Sequence, residues 1–257
     1  MSRQPRKLSS TGIYHLMVRG VNKEPIFREN SDRLHFLDTL KRISDDSDTS
    51  VLGYCLMDNH VHLLIKEGIK GVSNLMHRLN ASYAHYFNRK YERVGHVFQN
   101  RFKSENVEDE AYLLAALRYI HNNPIRAKLV DKRERYKWSS CKAYYGQKDY
   151  PPGLTDTKPV LALFSGNEEE AIIEFREFSE GVTEDICMDY RDEIKLSDAN
   201  ALKIIKGFLG GTPLHELGKM PKAERDLILK QLKAIDGLSI RQIARLTEVG
   251  FNIVSRA

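Results

Sequence analysis

The chain has 257 residues, 40 Lys+Arg against 35 Asp+Glu, a formal net charge of +5, and 41% hydrophobic residues. That is enough for one domain plus a smaller second and for a real core, which excludes disordered and collagen-like chains. No run approaches the ~18 apolar residues of a membrane span, and the basic residues 1–7 lead into no signal core. Three scattered cysteines, Cys55, Cys141 and Cys187, suit neither a disulfide framework nor a Cys-only zinc site. The expectation is a soluble cytoplasmic protein without a membrane partner.

In chain order, residues 13–18 read as a strand. Residues from 31 or 32 to 43 read as a helix, with Leu34, Leu37 and Leu40 at helical spacing after a capping Asn or Ser. Residues 50–57 and 61–65 are strands joined by a tight turn at Asp58-Asn59. Residues 72–90 form a long helix. Another covers 109–122, opened by Glu108-Asp109-Glu110, acids that suit a helix N-terminus. Asn before Pro124 reads as its stop. The order gives an α+β class, a ferredoxin-like antiparallel sheet with helices on one face.

Three of the eight prolines fall within residues 150–159, a composition that makes connectors rather than core. The expected division is a first domain over 1–150, a linker with an acidic helical segment over 151–195, and a smaller all-α domain over 196–257. Charge divides in a similar way. Residues 1–154 carry 26 Lys+Arg and 17 Asp+Glu, a net of +9, whereas residues 155–257 carry 14 and 18, a net of −4. A basic first part suggests a polyanion partner.

The sharpest chemical feature is His60-Val61-His62. On a strand both imidazoles point to one face, roughly 6.5–7 Å apart along the chain, near enough to converge on one cation. A pair of sheet-edge histidines without a metal is the plainer alternative. A second feature is Tyr119-Ile120-His121-Asn122-Asn123-Pro124. Here a phenol and, one helical turn on, an amide oxygen share a face, as Tyr112 and Ala116 do before them. An aromatic at the core edge and a helix stop would look the same. Third, residues 79–103 interleave six aromatics with five Lys/Arg and one acid, a composition suited to stacking unpaired bases and neutralising phosphates. Part of that stretch must also be the core side of an amphipathic helix.

Together His60-Val61-His62, Tyr119 with Asn123, and Gly95-His96-Val97-Phe98-Gln99-Asn100-Arg101-Phe102 resemble the single-tyrosine HUH transposases, in particular the REP-associated tyrosine transposases. The resemblance runs from Tyr14-His15-Leu16-Met17-Val18-Arg19-Gly20 to Trp138-Ser139-Ser140. It implies that Tyr119 is the nucleophile and that His60, His62 and Asn123 hold a divalent cation, Mg²⁺ or Mn²⁺. It also implies single-stranded or hairpin DNA as substrate, cut and rejoined through a 5′-phosphotyrosine. Contacts to that DNA are expected from Arg19, Arg89, Lys90, Arg93, Gln99, Asn100, Arg101 and Lys103. Relatives act as monomers or homodimers. Asp58 stands where relatives often carry proline, at a turn position without chemistry. Tyr83 and Tyr86 rank below Tyr119 because neither has an amide ligand four residues on.

The stretch from Leu238 onward resembles a helix-turn-helix, a possible reader of duplex DNA through Arg241, Gln242, Arg245 and Asn252. Ala244 falls where the helices cross, and Ile253 and Val254 where the second helix is buried. Glu248 occupies the usual place of the turn glycine. A small helical cap is the alternative there. For the whole chain the alternatives are a domesticated DNA-binding regulator without cleavage and a metal-dependent hydrolase. The latter lacks further well-placed ligands, since His15 is the only other histidine on a predicted strand.

Overall fold

The computed structural model describes residues 7–181, 187–188, 196–235 and 237–257. They form two compact units, Met1–Met188 and Asp189–Ala257.

The first unit opens with β1 (Ile13–Arg19), α1 (Asn30–Asp46), β2 (Ser50–Leu56), β3 (His60–Lys66), α2 (Gly71–Lys90), β4 (Lys103–Val107) and α3 (Glu110–Arg126). All strand pairs are antiparallel, in the order β2-β3-β1-β4. This β-α-β-β-α-β succession is the ferredoxin-like arrangement. α1 starts where Glu29 and Asp32 cap each other's backbone N–H groups reciprocally. α3 starts at Asp109, whose carboxylate accepts from the Tyr112 N–H at 2.7 Å.

The α+β class and the ferredoxin-like antiparallel sheet flanked by helices are as expected, and two details differ. The first is that helices lie on both faces of the sheet. β1 and β3 are buried through their central five residues, so neither face meets water. α3 packs on the side of Gly53, where an added Cβ would lie 2.5 Å from Leu117 Cδ1. Tyr54 points to the opposite face, where α1 and α2 pack on each other. The second change is α3 itself, which continues through Pro124 to Arg126. Proline removes one helix donor, yet the last turn is held by the Ala127 N–H on the Asn123 carbonyl at 2.9 Å. Strand β4, absent from the reading of the sequence, is Lys-Ser-Glu-Asn-Val with only Val107 buried. It has no apolar alternation and exists by backbone pairing to β1.

After α3 the chain runs along the outer edge of β2. The Leu56 N–H donates to the Trp138 carbonyl at 2.8 Å, the Ser140 N–H to Tyr54 at 3.0 Å, and the Asp156 N–H to Val51 at 2.9 Å. Short helices α4 (Cys141–Tyr144) and α5 (Lys158–Leu161) and the longer α6 (Glu168–Glu180) follow. The proline-rich stretch is therefore no free linker. Leu154, Val160, Leu161, Ala171 and Phe175 are buried in the same core as the sheet, and Phe175 stacks on Tyr144 at 4.7 Å. The apolar positions between the prolines outweigh the turn composition. Of the expected linker over 151–195, residues 182–186 and 189–195 lie outside the described residues.

Gly20, just after β1, has no room for a side chain: a Cβ there would sit 2.2 Å from the Glu24 carbonyl oxygen and 2.9 Å from Ile26. Gly20→Ala is expected to destabilise the first unit by about 1–3 kcal/mol, measurable by denaturant unfolding.

The second unit contains α7 (Asp198–Phe208), α8 (Lys222–Lys233), α9 (Ile240–Thr247) and α10 (Phe251–Arg256) around its own core of Ile205, Leu217, Leu229, Leu232, Ile243 and Val254. It is all-helical, as expected. Among the described residues no helix is long and apolar enough to cross a membrane.

Candidate active site

β3 runs between β1 and β2, so its alternation fixes what shares a face with the two histidines. Met17 and Cys55 stand opposite His62, Arg19 stands opposite His60, and Lys103 follows Met17 on β4. Opposite residues share a face. The face toward α3 thus carries the His60–His62 pair with two basic side chains beside it, and His15 further along β1.

His60 and His62 lie with ring centroids 5.1 Å apart and nearly perpendicular. His60, at the strand start, is half-buried, and its Nδ1 lies 2.7 Å from Asn59 Oδ1. An amide oxygen can only accept, so Nδ1 is the donor in this bond. His62 is fully buried. Burial pushes its pKa well below the ordinary imidazole value, and the nearby His15, His60 and Arg126 act in the same direction. Its ring is therefore neutral and able to ligate.

Tyr119 comes down from α3 onto this pair. Its ring is 3% exposed, 5.9 Å from His62 and 6.3 Å from His15. The Arg126 guanidinium lies over that ring at 4.8 Å. One turn beyond Tyr119, Asn123 is buried and its Nδ2 donates to the Tyr119 carbonyl at 3.0 Å. That bond fixes the amide and leaves its oxygen for another partner. Tyr119, His60 and His62 are thus brought together, and Asn123 stays on the same helix because α3 runs through Pro124.

Do these residues fit a divalent cation? Among the described residues no group of three or more His, Cys, Asp and Glu side chains is arranged to hold one. The donor set here is two imidazoles and an amide. His62 Nε2 is buried and makes no hydrogen bond. An orphaned buried nitrogen costs free energy unless something binds it. A neutral imidazole with that atom unsatisfied fits a metal ligand.

The basic stretch divides in two. Arg89, Gln99, Asn100 and Arg101 are exposed. Gln99, Asn100 and Arg101 border a groove of about 680 Å³ against α2, with Met76, Asn80 and Phe98 also in its walls. Lys90 and Arg93 are committed elsewhere. Lys90 Nζ bonds Asp32 at 2.7 Å, Ser31 at 2.8 Å and Glu29 at 3.1 Å, while Arg93 pairs with Glu24 at 2.9 Å. Carboxylates from α1 and its approach neutralise both, which a charge count along one segment cannot register. Tyr83 is fully buried with its hydroxyl on the Ile26 carbonyl, and Tyr86 bonds Asp32, so neither faces the histidines.

In the second unit, the turn between α9 and α10 holds Glu248 at φ 57°, the left-handed position that glycine usually fills. Val254 is buried as expected, but Ile253 is 41% exposed, because the six-residue α10 turns only one side inward. Arg245 is paired with Asp198 through both guanidinium nitrogens at 2.7 and 2.8 Å, and Gln242 bonds Asp198 and the Leu196 carbonyl, each at 2.9 Å. Arg241 and Asn252 are exposed.

Residues 9–123 match the family described as "Transposase IS200 like". The matched segment contains β1 to β4, both histidines of the pair, Tyr119 and Asn123. No curated protein matches the chain. Among solved structures, a REP-associated tyrosine transposase bound to a REP hairpin is similar at 16% identity, covering 61% of this chain and 94% of the other, with a TM-score of 0.48. A Deinococcus radiodurans protein described as a candidate transposase is similar at 17% identity, covering 47% and 96%, with a TM-score of 0.33.

Three side chains at this site were not singled out from the sequence: His15, Glu105 and Arg126. The first two become neighbours of His62 only through strand register. Arg126 lies seven residues after Tyr119, and helical spacing would have found it had α3 been read through the proline.

Proposed function

We propose that the first unit is a single-tyrosine transposase that cuts and rejoins single-stranded DNA. The observation that carries the reading is the Tyr119 ring set against the buried His62 of the His60–His62 pair, inside the segment that matches the transposase family. The Tyr119 oxygen attacks phosphorus, its P–O bond replaces the bond to the 3′ oxygen, and the departing 3′ oxygen takes up a proton as the phenol loses one. The 5′-phosphotyrosine stores the bond, so a 3′-hydroxyl can reverse the step without a nucleotide cofactor. A phenol is a weak nucleophile near neutrality and needs an environment that favours its anion. His60, His62 and Asn123 would hold Mg²⁺ or Mn²⁺, which when bound polarises the scissile phosphate and offsets its charge. Arg126 holds the Tyr119 ring and adds positive charge beside the reacting phosphate. Arg19 and Lys103, on the same face, suit the flanking phosphates.

The test is to incubate the full chain with Mn²⁺ and hairpin oligonucleotides taken from the flanks of its own gene. A detergent-stable protein–DNA band, with the nucleotide mapped to the Tyr119 peptide, is the expected result. A band that maps to another tyrosine, or none with any strand, rejects the proposal.

Arg89 and Arg101, which make no ion pair among the described residues, are assigned to the phosphate backbone. Replacing either with Ala should lower the slope of log affinity against log salt by about 0.7, with an unchanged melting temperature.

A further inference from the structure

His15 lies in the middle of β1, fully buried, one diagonal step from His62 across the β1–β3 ladder. Its Nε2 is 3.0 Å from His62 Nδ1, and the rings stack at 5.2 Å with 29° between their planes. On β4, Glu105 stands opposite His15 and brings Oε2 to 3.9 Å from His15 Nδ1. That carboxylate oxygen is itself anchored, accepting from the Tyr112 hydroxyl and from the Met188 N–H at 3.0 Å. Three strands and α3 therefore build one line: Glu105, His15, His62, and then the unsatisfied His62 Nε2.

Proton placement along this line has a direction. In a pair of neutral imidazoles, one nitrogen donates and the other accepts. The Glu105 carboxylate, at 3.9 Å too far to hydrogen-bond His15 Nδ1, still favours the hydrogen there by its charge, which leaves the lone pair on His15 Nε2. His62 Nδ1 must then be the donor, and its own lone pair is on Nε2, the buried atom that lacks a partner. The opposite arrangement would put an N–H of His15 toward His62 and leave its Nδ1 lone pair facing the Glu105 carboxylate. It would also bury the His62 Nε2 N–H without an acceptor.

We propose that His15, biased by Glu105, is a positioning residue: it fixes His62 in the Nδ1–H form and presents the Nε2 lone pair to a divalent cation. The inference rests on the cation site proposed above, and no group in the line needs to change its charge. Groups behind a ligating imidazole typically set its orientation and basicity, and losing one costs about 10–100-fold in metal affinity.

The experiment uses the full chain labelled with ¹⁵N-histidine, and Mn²⁺ as the probe. Long-range proton–nitrogen spectra of the metal-free protein read the His62 tautomer, and paramagnetic resonance of free Mn²⁺ reads affinity. Wild type should show His62 as a single Nδ1–H form. His15→Leu should mix the tautomers and weaken Mn²⁺ binding about 10–100-fold. His15→Gln, whose side-chain oxygen can accept the same bond, should recover most of that loss. Glu105→Gln, at a side chain 41% exposed, keeps the question answerable should the His15 variants fail to fold, and should weaken binding several-fold. A wild-type tautomer and Mn²⁺ affinity in His15→Leu, or in Glu105→Gln when the others do not fold, overturns the proposal. Wild type that binds Mn²⁺ with this dependence but forms no DNA adduct sinks only the transposase reading. Adduct formation with Mn²⁺ binding indifferent to His15 sinks only the positioning role.

Discussion

Tyr119→Phe should lose covalent adduct formation by at least about a thousandfold while keeping its fold and its affinity for single-stranded DNA. Deleting a covalent nucleophile removes the intermediate itself, and losses of that size or greater are usual. The phenyl ring keeps the edge contacts to His62 and His15 and remains under the Arg126 guanidinium, so the packing of α3 on the sheet is preserved. Melting temperature should therefore move little, and electrophoretic binding at fixed salt should stay within a few-fold. His60→Ala with His62→Ala is the informative companion. It leaves the phenol in place and should depress adduct formation in Mn²⁺ strongly, and raising the metal concentration should not restore it. A double variant that forms adducts as wild type does would mean that the histidine face is idle in the reaction.

The second large effect is in stability. Lys90→Ala should destabilise the first unit by about 3 kcal/mol, because it removes the cation beside a buried carboxylate. Asp32 has no exposed side-chain surface. Its burial alone would raise its pKa, but bonds from Lys90, Tyr91 and the backbone N–H groups of Glu29 and Arg28 outweigh that and hold it at about 2. Between pH 3.8 and 2 the unfolded chain binds more protons at this position than the folded one. The contribution of Asp32 is thus complete above the ordinary carboxylate range and disappears as pH falls through 2. Urea unfolding of wild type and Lys90→Ala should show a large gap at neutral pH that narrows toward pH 2. Should Lys90→Ala keep wild-type stability and instead lower the salt slope of DNA binding, the lysine would be a phosphate contact after all.

The two outcomes expected of neighbouring basic residues, Arg89 and Lys90, show where sequence reasoning carries and where it stops. Periodicity located β1, β2, β3, α1 and α2 within a few residues, because each has a buried face whose spacing is written in the chain. It missed β4, whose five residues owe their conformation to β1 alongside them. It stopped α3 too soon at Pro124, where a local preference yielded to packing. The grouping of His60 with His62, and of Tyr119 with Asn123, is legible because each pair lies within one element. The link from His15 to His62 crosses 47 residues and depends on which strand lies beside which, a property of register that no local pattern contains. The ion pairs of Lys90 escape a reading of the sequence for the same reason, since its partners Glu29 and Asp32 come from a distant helix terminus.

The course of the chain after α3 bears on solubility as well as on architecture. β2 is the outer strand of the sheet, and an uncovered outer strand invites pairing with another molecule. Residues 138–140 and 155–156 occupy its free hydrogen-bonding groups at Leu56, Tyr54 and Val51. A protein shortened at residue 150, where composition suggests a natural break, would bare Val51 to strand addition and strip Val160, Leu161 and Phe175 from the core. The proline-rich passage thus acts as a guard against edge-to-edge aggregation, and a soluble catalytic fragment has to extend at least through α6.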